Sequence, residues 1–363
     1  MHKSQHSSAP GSCLLAVGTY TEILPHVQGR GLGIHLLEFD GESATFRERQ
    51  ILAGPVNPSY LCAWGDRLYS VSERSRDAAL DISAIEDGGA RLRPIGRAAV
   101  PGADPCHVSV NPVARQLYVS NYSSGELLCY ALDDKGLPDG EPQALRRQGS
   151  GPRADRQDGP HAHFAMPDAA GAHVYLCDLG TDAIVRHRVQ ADGLAPEPDW
   201  TLRARPGSGP RHLVLAGALI VAVNELSNTL SVYGQAEDAR TPPRELAHAS
   251  TLPPGWTGAS WAAALRLHPN GRLLMVSNRG HDSIAAFRLR RDAPWLEPLG
   301  HFPAGGRTPR DIAFTPDGAF LLIASQDDHL IRALRIDPAT GMPERAGASF
   351  ALRSPVSLCP LLP

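Results

Sequence analysis

Apolar and polar residues alternate in short bursts along the whole chain. VYLC (174–177), LIVAV (219–223), LLMVS (273–277) and FLLIAS (320–325) are apolar runs of strand length, each bounded by turn residues. Two runs often face each other across a tight connector, as at His268-Pro269-Asn270-Gly271 and Thr315-Pro316-Asp317-Gly318, which predicts hairpins. A third run, rich in β-branched and aromatic residues, follows each pair. No strong helical periodicity lies between them.

This unit repeats. Its copies begin NPSYLCAWGDRLYSVSE (57–73), DPCHVSVNPVARQLYVSN (104–121), DGPHAHFAMPD (158–168), GPRHLVLAGALIVAVNE (209–225), WAAALRLHPNGRLLMVSNRG (261–280) and TPRDIAFTPDGAFLLIASQ (308–326). The openings fall at Pro58, Pro105, Pro160, Pro210, Trp261, Pro309 and Pro355, at intervals of 46 to 55 residues. Only 8 residues follow Pro355, enough for one strand, and the missing strands CLLAVGTYTE (13–22) and GIHLLEFD (33–40) stand at the N-terminus. Seven units, one of them stitched from both ends of the chain, predict an all-β seven-bladed β-propeller of four-stranded antiparallel blades, since ring closure leaves only short protected edges. The predicted organisation is a disordered tail over 1–12 and one propeller domain over 13–363.

Composition narrows the function. The 363 residues include 35 Gly and 32 Pro, which suit many turns, and 42% hydrophobic residues, which suit a packed core. With 35 Lys+Arg against 38 Asp+Glu and no basic run, a nucleic-acid surface is not expected. No apolar stretch is long enough to cross a bilayer, and the polar start MHKSQHSSAPGS has no apolar leader. The six cysteines are dispersed without a CxxC pair, as in a protein of a reducing cytoplasm. GRGLG (29–33) is followed by no helix, so no nucleotide or other organic cofactor is expected.

In a propeller the first strand of each blade lines the channel, so repeat positions can be compared as columns. The residues after the openings are Ser59, Cys106, His161, Arg211, Ala262, Arg310 and Val356. The second strands end in Glu73, Asn121, Asp178, Asn224, Asn278, Gln326 and Thr19, followed by Arg74, Tyr122, Leu179, Glu225, Arg279, Asp327 and Tyr20. A purely structural column should hold small or turn-forming residues. His161, Arg211, Glu225, Arg279 and Arg310 break that pattern and should converge at one mouth as an anion-binding acid/base site. His163 shares a strand face with His161 and packs or bonds beneath it, because no acidic residue or third His shares their phase as a metal site would need. Asp178 and Asn224 read as residues that hold the adjacent turn. The tryptophans read as packing between blades, and His35, His187, His248 and His329 as surface residues.

DGPHAHFAMPD, DLGTD (178–182), GPRHL (209–213), VNEL (223–226), HPNGR (268–272), SNRG (277–280) and TPRDIAFTPDG (308–318) occur in this order over nearly the whole chain. In this series the chain resembles the lactonase family of seven-bladed propellers, which includes propeller-type 6-phosphogluconolactonases and the fungal carboxy-cis,cis-muconate lactonizing enzyme. The resemblance implies His161, Arg211, Glu225 and Arg279 as catalytic residues, four of the five that the columns single out. The expected activity is hydrolysis of an anionic sugar lactone, 6-phosphogluconolactone by resemblance. His161 or Glu225 would activate water, Arg211 or Arg279 would stabilise the oxyanion, and Arg310 and His163 would contact substrate. No GxSxG elbow and no in-phase cysteine–base pair points to a covalent intermediate. A muconate-type cycloisomerase acting on a polycarboxylate, and a non-catalytic propeller scaffold, are the alternative readings.

Overall fold

The apolar runs become seven antiparallel sheets. The structure is a computed structural model. It describes residues 10–361 except 237, 239, 338 and 339, with only the backbone at 345 and 346. Blades 1 to 6 start with the strands Pro58–Trp64, Pro105–Asn111, Ala162–Pro167, Pro210–Ala216, Trp261–Leu267 and Pro309–Phe314. Blade 7 pairs Pro355–Leu361 with Cys13–Thr19, then Ile34–Asp40 and Thr45–Leu52, the two-ended closure expected from the repeat count. Each other blade runs outward through its strands in chain order, and blade 3 carries an added short pairing at Gly193–Leu194. The expected part of the tail at 1–9 lies outside the described residues. At its end, the Gly11 amide donates to Asp317 Oδ2 at 2.6 Å.

Burial explains why the ring closes. Seven apolar clusters each span one blade-to-blade interface. Tyr69 and Val119 join blades 1 and 2, Val223 and Val276 join blades 4 and 5, and Leu36 and Leu61 join blades 7 and 1. A twisted sheet that is apolar on both faces needs a neighbour on each side, and closure supplies one to every blade.

The opening step of the repeat has a conformational cause. Asn57, Asp104, Gly209, Thr308 and Ser354 precede the opening prolines of blades 1, 2, 4, 6 and 7, and all have φ between 44° and 64°. Gly and Asn/Asp enter this left-handed region at the least cost, which accounts for three of the five residue types. The following proline then starts the strand with a preset φ.

Pairing shifts the phase of four blades from the reading by columns; in blade 5, Ala262 rather than Trp261 faces Asn278. In blade 3 the strand begins two residues after Pro160, with Ala162 opposite Asp178. His163, rather than His161, is therefore level with Arg211 and Arg310, since Pro210 and Pro309 face Asn224 and Ser325. In blades 1 and 6, Ser72 and Ser325 are the strand-end partners of the opening prolines, which moves Glu73 and Gln326 one place on. Glu73 thus occupies in blade 1 the position that Glu225 occupies in blade 4. The first-to-second-strand turn of blade 1 is only Gly65-Asp66, shorter than the Thr-Pro-Asp-Gly turn of blade 6.

Two other expectations change. Trp256 and Trp261 are 42% and 39% exposed, in and just after the connection between blades 4 and 5, and do not pack between blades. His35 and His187 are buried, bonded through Nδ1 to Glu48 Oε1 at 2.6 Å and to the Ala195 carbonyl at 2.9 Å.

Candidate active site

First-strand starts and second-strand ends lie on the same face of the ring, so side chains from several blades meet at one mouth of the channel. Their centre is Glu225, which is 3% exposed. Its Oε2 accepts from Arg211 Nε at 2.7 Å and lies 2.9 Å from Arg279 Nη2, while Oε1 accepts from Arg156 Nη2 at 2.7 Å. Burial alone would raise the pKa of this carboxylate. Arg279, Arg211 and Arg156 reverse that and hold it well below the usual range. A carboxylate so occupied is a poor base, and its geometry is that of a hub that fixes three guanidiniums.

The arginines are more numerous than one carboxylate can neutralise. Burial and the nearby Arg211, Arg310 and Arg156 bring Arg279 down to about 10, against the opposing pull of Glu225. Arg310, with a side chain 14% exposed, lies over the Tyr20 ring at 5.2 Å and only 3.8 Å from Glu73 Oε2, an oxygen already bonded by the Tyr20 hydroxyl at 2.9 Å. Arg156, Arg211, Arg279 and Arg310 therefore outnumber Glu225 and Glu73 by two. Excess positive charge at a partly desolvated mouth is an electrostatic demand for an anion.

His161 stands on the connection just before the first strand of blade 3. Its ring stacks on Tyr122 with centroids 4.4 Å apart and planes 6° from parallel. Nδ1–H donates to the Tyr122 carbonyl at 2.8 Å, and Nε2 lies 3.2 Å from Asp158 Oδ1. Its backbone amide donates to Asp178 Oδ1 at 2.9 Å. Asp178 Oδ1 also accepts from the Thr181 amide, so this aspartate holds its turn and the histidine together. Gly180 is required here, because a Cβ would lie 1.9 Å from the Gly159 carbonyl oxygen and 2.9 Å from His161 Cδ2. Asn224 keeps to a turn role, donating to Thr229 and Ser231.

Below the mouth, His163 packs edge-on against Tyr122 and His212 and has an Nδ1 without a partner. The Arg211 guanidinium donates to His212 Nε2 at 2.9 Å, and Tyr60, His107, Phe164 and His212 form an aromatic belt across the shaft. Burial, with Arg211 second for His163 and His212 and Arg266 second for His107, holds all three imidazoles well below the usual histidine range. They are neutral at physiological pH. Among the described residues, no group of three or more His, Cys, Asp or Glu could hold a metal ion.

The structure thus brings Arg211, Glu225 and Arg279 into direct contact, with His163 and Arg310 nearby, and sets His161 above them on Tyr122. Sequence comparison missed Arg156, Glu73, Tyr122 and Tyr20 as site members. Tyr122 and Tyr20 were in the right column, and their hydroxyls were the available signal. Arg156 sits in an irregular connection that has no repeat phase.

A ring of seven four-stranded blades with its buried charges gathered at one mouth is a β-propeller built around a small-molecule site rather than a protein-binding rim. The chain belongs to the family described as "Lactonase, 7-bladed beta-propeller", which matches residues 14–360. It is 28% identical over 329 residues to the 6-phosphogluconolactonase of Bacillus subtilis, covering 90% of this chain and 91% of that protein. It is also 28% identical over 353 residues to the 6-phosphogluconolactonase of Formosa agariphila, covering 94% and 98%. Among solved structures, the periplasmic gluconolactonase PpgL of Pseudomonas aeruginosa superposes with a TM-score of 0.88 at 27% identity, covering 97% of this chain and 99% of that one. No helix among the described residues is long and apolar enough to cross a membrane.

Proposed function

We propose that the protein hydrolyses an anionic sugar lactone, 6-phosphogluconolactone to 6-phosphogluconate. The observation that carries this reading is the excess of two positive charges in the ion-paired cluster of the mouth, four arginines against Glu225 and Glu73, a match for a phosphate monoester dianion. The names of the Bacillus subtilis and Formosa agariphila relatives support the same substrate.

In this mechanism His161 Nε2 takes a proton from water as the oxygen attacks the lactone carbonyl carbon. The carbonyl oxygen becomes an oxyanion beside Arg279, which with a pKa of about 10 is still charged at neutral pH and acts across a partly desolvated site. The ring C–O bond then breaks. The departing ring oxygen takes the proton back from His161 Nε2 and becomes the hydroxyl of the open-chain acid. Glu225 acts as a positioning residue that fixes Arg156, Arg211 and Arg279, while Arg310 and Arg211 grip the phosphate, and His163 supports the floor. The free thiols of all six cysteines fit a cytoplasmic setting.

Purified protein should open 6-phosphogluconolactone with a kcat/KM at least tenfold above that for unphosphorylated gluconolactone, followed by proton release at constant pH. Equal rates would remove the phosphate assignment. No turnover of either lactone, with turnover of a carboxymuconate, would replace hydrolysis by cycloisomerisation.

A further inference from the structure

A second concavity lies away from the mouth. On the opposite face, the turns and outer connections of blades 4 and 5 enclose a cavity of about 1110 Å³. Its floor is apolar, with Leu246 from the outer strand of blade 4, Leu267 from the first strand of blade 5 and Trp295 from the outer connection of blade 5. Leu267 and Trp295 pack inward on the core between these blades, so the floor is rigid.

Arginines ring this floor. Arg288 and Arg290 reach Glu297 at 3.0 and 3.8 Å, and Arg290 also reaches Asp292 at 3.7 Å. Arg244, Arg272 and Arg291 line the same cavity and form no ion pair among the described residues. Three guanidiniums on one cavity without an ion pair among the described residues stand out in a chain whose net charge is −3. A guanidinium recognises phosphate bidentately and stacks on flat rings, while an apolar floor favours a ligand with an apolar face.

We propose that this cavity is a second binding site, remote from the lactone site, for a nucleotide carrying two or more phosphates. The base lies on the Leu246–Leu267–Trp295 floor, and the phosphates meet Arg244, Arg272 and Arg291. The phosphates are held by side chains here. The chain has no glycine-rich phosphate loop leading into a helix, so this site is outside the reach of motif searches.

Calorimetric titration of the full chain with ADP tests the proposal, with pyrophosphate and adenosine as separate probes. ADP is expected to bind at least tenfold more tightly than either fragment, and to weaken as salt rises. The Arg244→Glu/Arg272→Glu double variant should lose at least tenfold in ADP affinity while its lactone turnover and melting temperature stay unchanged. Arg279→Met should leave ADP binding intact. The proposal is overturned if the unaltered protein binds no ADP, or if pyrophosphate binds as tightly as ADP. It is equally overturned if ADP binding disappears in Arg279→Met and survives the double charge reversal, which would place the nucleotide at the mouth. None of these outcomes depends on the identity of the lactone.

Discussion

Replacing Glu225 with Gln keeps the shape of the hub and removes its charge. Three guanidiniums within 2.9 Å of that carboxylate would then face one another around a neutral amide in a site 3% exposed. Removing one partner of a buried ion pair costs about 3–5 kcal/mol, because the remaining charge stays desolvated without compensation. At about 2.1 cal/mol/K of unfolding entropy per residue, that lowers the melting temperature of a 363-residue chain by roughly 4–7 °C. The same vacancy becomes an anion site, so phosphate or sulfate should recover more stability in Glu225→Gln than in the parent protein. Thermal unfolding across a phosphate series measures both effects, and lactone kinetics on the same samples should show kcat reduced by at least a hundredfold. A variant that melts within 1 °C of the parent, with no added response to phosphate, would refute the claim that Glu225 organises the arginines.

His161→Ala should lower kcat by about 10²–10⁴-fold with KM changed less than threefold, as loss of a general base predicts, and an unchanged kcat would move the base to another residue. Gly180→Ala forces the Gly159–His161 backbone away, since the new Cβ would lie 1.9 Å from the Gly159 oxygen; kcat should fall at least tenfold, and full activity would show that His161 needs no fixed seat. Acid should destabilise the fold below about pH 6.5, the unfolded histidine value. His107, His163 and His212 have depressed native pKa values, so on acidification only the unfolded chain binds their protons. Each contributes a slope of about 1.4 kcal/mol per pH unit, fully absent above that range; His107→Phe should remove one such slope in urea titrations between pH 6.5 and 5, and an unaltered slope would count against a neutral shaft.

The repeat was legible because each blade must bury two faces, so apolar runs of strand length recur with the turns between them. The counting of those runs also required both ends of the chain to share blade 7, as Leu15 opposite Pro360 and Leu37 confirms. Arg211, Glu225 and Arg279 were readable as charged residues at strand-end positions where a structural column needs none. What the sequence could not carry was the phase of irregular segments. A strand slipped by one or two residues changes which side chain faces the shaft, and only hydrogen-bond pairing fixes that choice. Pairing brought His163 level with Arg211, put His161 on the connection above it, and moved Glu73 into the functional column. Arg156 shows the remaining limit. It lies 69 residues from Glu225 on a connection outside the repeat, and only closure of the ring brings its guanidinium to 2.7 Å from the carboxylate. Local pattern determined the blades and their number, because burial acts on every short run alike. Tertiary structure decided which charges share one site, because their pairing depends on register and on loops that carry no period.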